Sequence, residues 1–391
     1  MSTTDAPDAD LDALRALLDE VDARLVAALA ERRVIVSRVA EHKGAQRGGR
    51  VRDRDRERAL LATRIEQGRR AGLDPAFVTR IFRQIVEQSV EEQRQALAAA
   101  PHVSTRPGDR PVVIVYQGGP GAFSHLAAAR HFAALGDQAR YEGLGSFQDL
   151  LEAVRERRAD YAVLPIENSI AGSIYESYDL LASMGLSLVG ETVQRIVHCL
   201  IALEDQPLES LRRIYSHPVA LAQCRTFLGS LHGCHAEAYR DTALSVVKIK
   251  ADGDPTHAAI ASEEAAKLHG LPVLARDIAD QRENFTRMVI VAREPEDFPL
   301  DVPCKTSLIF STAHELGALA RCIQLLSDHG LNLTKIESRP KPHVPWEYVF
   351  YVDFEGNQRA DAVRAALEQL REQTTFLQVL GTYPSGTTAR A

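Results

Sequence analysis

Apolar positions in the first hundred residues recur at spacings of three and four. Leu11, Leu14, Leu18, Val21, Leu25, Ala28, Ile35 and Val39 follow that rhythm, which predicts an amphipathic helix over 10–43. At about 1.5 Å per residue this helix is roughly 50 Å long, whereas a compact 100-residue domain has a radius of gyration of only about 13 Å. Its apolar stripe therefore needs a partner on a second chain, and an intertwined dimer is expected. A turn at 46–50 leads to a helix over 53–70. A third helix begins at Gly72-Leu73-Asp74-Pro75, with Asp74 at the N-cap and Pro75 at the first helical position.

Past residue 110 the period shortens. VVIVYQ, AFSHLAAARHFAAL, DYAVLPI and LSLVGE read as strand, helix, strand and strand, an α/β pattern. After residue 303 the order is TSLIFST, a helix over Ala318–Asp328, NLTKIESR, EYVFYVDFE, a helix over 359–372, and FLQVLGTY. That is βαββαβ, the ferredoxin-like order. Two proline-bearing stretches, 98–110 and 294–303, separate the three parts. The domains expected are 1–97, 111–293 and 304–385: an all-α domain, an α/β domain and an α+β domain.

Composition narrows the function. Lys plus Arg number 46 against 53 Asp plus Glu, a net charge of −7, which argues against a dedicated nucleic-acid binder. No apolar run approaches the ~20 residues a membrane span needs, and the acidic N-terminus lacks the pattern of a signal peptide. Five cysteines without a CxxC pair fit a reducing compartment, so a cytoplasmic location is expected. HGCH at 232–235 fits no zinc-finger spacing and reads as a surface turn, with no metal expected.

The helical part carries charges where a core should be. The heptad Leu11, Leu18, Leu25, Arg32, Val39 puts Arg32 on the apolar stripe, where an unpaired charge is costly. Lys43 lies eleven residues on, close to three turns, and shares that face. Arg15 lies about 100° around the helix from Arg32 and suits a site on the partner chain. Asp53, Arg56 and Glu57 stack at i, i+3 and i+4, and Ser89 and Gln93 at i, i+4. With no His, Cys or hydroxyl nucleophile, this set suits a small dianion and chemistry needing neither proton shuttle nor covalent intermediate. The run RVRDRDRER alone would equally serve as a solvated, salt-bridged face.

These residues resemble the helical chorismate mutase domain over about 10–95, through LDALRALLDEVDARLVAALAERR, Lys43, VRDRDRER and QSVEEQ. The turn AQRGGR is longer and richer in glycine than the family's. The resemblance implies that Arg15 of the partner and Arg32 hold the two carboxylates of chorismate. It gives Lys43 and Gln93 the ether oxygen, and Asp53 and Glu57 the ring hydroxyl. Arg56 and Ser89 complete the pocket. A pericyclic rearrangement needs only a held conformer and stabilised charge on the ether oxygen.

In the middle part, YQGGPGAFSH (116–125) is a glycine-rich strand-to-helix turn, open to reading as an anion site or as a tight turn. DYAVLPIENSIAGSIYESYDLL, YSHPVALAQC and ENFTRMVIV together resemble prephenate dehydratase over about 111–293, with Met288 where an aromatic is common. The implied fold is two α/β lobes like a periplasmic solute-binding domain. The resemblance gives Thr286 the departing hydroxyl, as a hydrogen-bond donor because a threonine is a poor acid, and gives substrate contacts to Asn168, Ser216 and Gln223. Glu167 is open between a carboxyl of raised pKa and a lobe-joining salt bridge.

The last part resembles an ACT domain, through GALA at 317–320 and ESRP at 337–340, with Ala320 where valine is common. The resemblance implies a phenylalanine site from Gly317, Ala318, Leu319, Glu337, Ser338, Arg339 and Pro340, between paired domains. The sum is an expected bifunctional enzyme taking chorismate through prephenate to phenylpyruvate, without cofactors, inhibited by L-phenylalanine, as a homodimer or higher homo-oligomer. Arogenate as dehydratase substrate, or a non-catalytic amino-acid sensor, stand as alternatives.

Overall fold

A computed structural model describes residues 7–45, 54–99, 110–341 and 347–385. The chain falls into two compact units, Met1–Ala100 and Pro101–Ala391.

The first unit is three helices: α1 (Pro7–Ala45), α2 (Arg54–Arg70) and α3 (Pro75–Ala99). The predicted helix over 10–43 is thus one unbroken element of 39 residues. Asp74 caps α3 as expected, its carboxylate accepting from Phe77 N at 2.8 Å. Helix α3 packs on both α1 and α2. A Cβ at Gly68 would lie 2.5 Å from Val78 Cγ2, so glycine lets α2 and α3 approach closely. Val36, Val78 and Val86 are buried, whereas Leu14, Leu18, Val21 and Leu25 of α1 stay exposed within one chain.

The second unit opens with β1 (Val112–Gln117), α4 (Phe123–His131), β2 (Ala139–Leu144), α5 (Phe147–Arg155) and β3 (Tyr161–Asn168). The expected single helix from Ala122 ends at His131, where a 3-10 turn (Ala133–Gln138) takes over, kinked at Gly136. Next come β4 (Gly172–Ser173), α6 (Tyr175–Met184), β5 (Ser187–Arg195), β6 (Cys199–Ala202) and β7 (Arg213–Ser216). The segment continues through α7 (Pro218–Gln223), α8 (Arg225–Ser230), β8 (His235–Ala238), α9 (Thr242–Asp252), β9 (His257–Ala261), α10 (Glu263–His269), β10 (Val273–Ala275) and β11 (Phe285–Ala292).

These strands form two sheets. One runs β2-β1-β3-β11-β5 with β4 on β3, and the other β10-β6-β9-β7-β8. The chain crosses between them twice, after β5 and before β11, which gives the expected two lobes. The two crossings are tied together, Ile196 N donating to Asn284 O at 2.8 Å.

The C-terminal part is β12 (Cys304–Ser311), α11 (Ala318–Asp328), β13 (Leu333–Pro340), β14 (Tyr348–Glu355), α12 (Asp361–Gln373) and β15 (Phe376–Pro384), the expected βαββαβ. Its sheet order is β13-β14-β12-β15. Helices α11 and α12 close one face over Leu308, Phe310, Val352 and Phe354. The other face joins the first lobe, where Ile309, Tyr351, Leu380 and Tyr383 share a core with Leu181, Leu188 and Val289. All eight residues of β12 are buried in consequence. A Cβ at Gly381 would stand 2.0 Å from Leu188 O, so only glycine lets β15 lie against β5.

Polar groups fill the same seam. The Arg287 side chain bonds Glu191 at 2.7 Å, Asp353 at 2.6 Å and Tyr383 Oη at 3.1 Å. Lys305 adds a second cation on Glu191 at 2.8 Å. Both carboxylates hold the Arg287 guanidinium charged despite its burial.

Candidate functional site

In the first unit, Arg32 of α1 donates to Ser89 Oγ of α3, so two of the predicted residues meet across helices. Ser89 itself donates to Ile85 O at 2.6 Å. Arg15 lies exposed on the same helix as Arg32, 17 residues away, which is roughly 25 Å along an unbroken α-helix. Asp53 lies outside the described residues. The side chains of Lys43, Arg56, Glu57 and Gln93 lie outside them as well, although their backbones belong to α1, α2 and α3.

In the second unit, three predicted residues converge where the lobes meet. Asn168 ends β3, Thr286 sits opposite it on β11, and Gln223 ends α7 in the other lobe. Their amide orientations follow one from another. Ile170 N and Ala171 N donate to Asn168 Oδ1 at 3.0 and 2.8 Å, which makes that atom the acceptor. Asn168 Nδ2 therefore donates, to Thr286 Oγ1 at 3.0 Å and Asn284 Oδ1 at 2.8 Å. Asn284 Nδ2 in turn donates to Gln223 Oε1 at 2.9 Å, while Gln223 Nε2 faces Asn168 Oδ1 at 3.3 Å. Since Thr286 Oγ1 accepts from Asn168, its own proton is left for another acceptor.

Two members of this network carried no assigned role in the sequence. Asn284 was visible within NFTR. His198, on the first crossing, is 2% exposed and places Nε2 2.9 Å from Gln223 Oε1. Burial holds its imidazole below the ordinary pKa, against the Gln223 hydrogen bond. A lone histidine in an apolar run resembles a core residue, and nothing in RIVHCL distinguishes it.

Ser216 stands apart from the amides. It is fully buried at the end of β7, its hydroxyl donating to Ile260 O at 2.6 Å. The glycine-rich turn is a tight interlobe turn. Gly119 N donates to Asp241 Oδ2 at 2.7 Å, and Asp241 also caps α9. With φ at +97°, Gly118 leaves room for that carboxylate, 2.4 Å from where a Cβ would stand. Glu167 pairs with Lys335 at 2.9 Å, so its bridge reaches the C-terminal sheet rather than the other lobe. His232 and His235 are exposed around Gly233, while Cys224 is fully buried and its thiol is pushed up to about 12, chiefly by burial.

Gly317 adopts φ +74° just ahead of α11, with Ala318 buried behind it. Strand β13 is an edge, and its residues alternate. Glu337 accepts from Ser173 Oγ at 2.6 Å, and Arg339 pairs with Asp179 at 2.8 Å above the Tyr175 ring. Ser338 and Pro340 face solvent. Strands β12 and β13 both run antiparallel to β14, so Gly317 and Pro340 lie at the same end of the sheet.

Residues 14–94 match the family Chorismate mutase type II, residues 114–296 Prephenate dehydratase, and residues 306–372 the ACT domain. The bifunctional chorismate mutase/prephenate dehydratase of Enterobacter agglomerans is 38% identical over 379 residues, 97% of each chain. Among solved structures, prephenate dehydratase from Arthrobacter aurescens in complex with L-Phe is 28% identical with a TM-score of 0.63, covering 70% of this chain and 90% of that one. A protein described as a novel type of quorum-quenching acylase is 34% identical with a TM-score of 0.63, covering 71% of this chain and all of that one.

Proposed function

Since this chain belongs to the family of bifunctional chorismate mutase/prephenate dehydratases, we propose which residues carry each of its two reactions. The enzyme is an isomerase and a lyase, with an ACT domain appended. We assign the mutase to 1–97, the dehydratase to 111–293 and regulation to 304–385.

In the mutase, Arg32, steadied by Ser89, holds one carboxylate of chorismate. The distance along α1 puts Arg15 out of reach of the same pocket, so a second copy supplies it and covers the exposed leucines of α1. Lys43 and Gln93 donate to the ether oxygen, Asp53 and Glu57 orient the ring hydroxyl, and Arg56 completes the pocket. Neither reaction as assigned draws on a metal or organic cofactor.

In the dehydratase, the bond from the ring to the carboxylate breaks to release carbon dioxide. Its electron pair enters the ring, and the ring hydroxyl departs with the pair of its own C–O bond. Negative charge grows on that oxygen, and a donor aimed at it lowers the barrier. Thr286 is that donor. The observation that carries this role is the Asn168 Nδ2 to Thr286 Oγ1 bond, which directs the threonine proton away from Asn168. Gln223 and Ser216 contribute from the second lobe. L-Phenylalanine binds between paired ACT domains at Gly317 to Leu319 and Glu337 to Pro340, and suppresses the dehydratase. The reducing cytoplasm suits the five free cysteines, and no helix among the described residues is long and apolar enough to cross a membrane.

One set of assays tests the assignment. Lys43→Ala should abolish turnover of chorismate and spare the dehydratase, and Thr286→Val should do the reverse. Mixed Arg15→Ala and Lys43→Ala chains should regain mutase activity after subunit exchange. Loss of both activities from either single variant, or no recovery on mixing, overturns the assignment. Prephenate compared with arogenate decides the dehydratase substrate.

A further inference from the structure

The dehydratase network does not end at Gln223. His198 lies behind it on the first crossing between lobes, and Asn284 on the second, so the hydrogen-bond chain passes through both hinges. We propose that His198 is a positioning residue for the dehydratase step: neutral, with its proton on Nε2, it donates to Gln223 Oε1 and locks the amide order that leaves the Thr286 proton free for the substrate.

The direction follows from the partners. Gln223 Oε1 already accepts from Asn284 Nδ2, so it can only accept from the imidazole as well. A proton on Nδ1 instead would leave Nε2 as an acceptor facing an acceptor. Turning the Gln223 amide to suit it would set Gln223 Nε2 against Asn284 Nδ2, and Gln223 Oε1 against Asn168 Oδ1. That last atom cannot turn, because two backbone N–H groups hold it. Nδ1 is buried and has no hydrogen-bond partner, so a proton there would be an unpaired buried donor. Burial disfavours the imidazolium for the same reason, and the Phe123 ring packs edge-on at 5.6 Å between centroids. One tautomer satisfies the network, and it is set by groups of both lobes. A chain whose lobes separate would lose it.

The inference rests on Thr286 acting at the reacting centre, and the two fail separately. Thr286→Val at full activity would remove that premise, whereas His198 variants test only the chain behind it. The amide nitrogen of His198→Gln stands in for Nε2, and His198→Met fills the space without a donor. At saturating prephenate, His198→Gln should keep kcat within about threefold, and His198→Met should lose about 10- to 100-fold, the equivalent of one buried hydrogen bond. KM should change far less than kcat, and mutase turnover in the same preparations should be unchanged. Equal kcat in the two variants, or a loss falling on KM, overturns the proposal. Nitrogen-15 NMR of histidine-labelled enzyme, assigned by comparison with His198→Gln, reads the tautomer in the unsubstituted protein. A proton on Nδ1 at neutral pH overturns the proposal whatever the variants do.

Discussion

Asn168→Asp tests the directional reading most sharply, because it exchanges a donor for an acceptor with almost no change of shape. Asn168 Nδ2 faces three acceptors: Asn284 Oδ1 at 2.8 Å, Phe285 O at 3.1 Å and Thr286 Oγ1 at 3.0 Å. A carboxylate oxygen there repels the first two. The third can adapt, since Thr286 can turn its proton into the new carboxylate, and the substrate then loses it. Removing one donor aimed at a developing oxyanion costs about 2.7–4 kcal/mol, or 10²–10³ in kcat. Asn168→Ala leaves the threonine proton unclaimed, so its loss should be the smaller of the two. The introduced carboxyl can donate again once protonated, so only the Asp variant should regain activity as pH falls through that group's pKa. The assay is phenylpyruvate release at saturating prephenate, with the enzyme-free rate subtracted and the denaturation midpoint of the second unit as the folding control. Asn168→Asp turning over as fast as Asn168→Ala, or both staying within about threefold of the unsubstituted enzyme, would refute a threonine proton directed by Asn168.

Arg287→Met should lower the unfolding free energy of the second unit by about 3–5 kcal/mol, because Glu191 and Asp353 stay buried with their main partner gone; a denaturation midpoint close to the original would show the seam open to water. Glu296, which accepts from Tyr161 Oη at 3.0 Å, has its carboxyl raised to about 7, chiefly by burial. Its contribution should be present in full below about 4.5 and be lost as pH rises through about 7, and Glu296→Gln should flatten that part of the thermal stability profile. Ser338→Tyr, at an exposed position of β13, should abolish inhibition by phenylalanine while uninhibited turnover persists, as should Gly317→Val, in which the φ of +74° adds strain. Full inhibition in Ser338→Tyr would place the ligand elsewhere.

Periodicity made most of the elements legible. The 3.6-residue rhythm of α1 and the βαββαβ order of the last part appear in the structure within a few residues of where the sequence puts them. What escaped were events decided by tertiary contact. The helix from Ala122 breaks after His131 although its composition stays helical, because the chain must turn through Gly136 toward β2. Strand β12 is covered on both faces, which depends on the first lobe packing against it and is not visible in TSLIFST. The glycine-rich turn carries the same letters whether it cradles an anion or meets a carboxylate of its own chain, and only the position of Asp241 decides. His198 gives no local signal, since its meaning lies in Gln223, 25 residues later.

The signature NFTR shows why a motif locates a site more readily than it assigns the roles within it. Asn284 leads into β11, and along that strand successive side chains point to opposite faces. Asn284 and Thr286 therefore turn toward Asn168 at the lobe junction, while Arg287 turns into the seam with the C-terminal sheet. All sit within one short run, and letters alone would assign the arginine to the substrate as readily as the threonine. The geometry makes it a fastener: Glu191 from β5 and Asp353 from β14 grip the residue next to Thr286. A second tie from the same sheet reaches Asn168. Glu337 holds Ser173 of β4, β4 pairs with the end of β3 at Glu167 and Asn168, and the loop between supplies the two N–H groups that orient Asn168. Thr286 and Asn168 are thus each one or two links from the C-terminal sheet, and displacing Glu337 takes the acceptor from Ser173, beside the loop that orients Asn168.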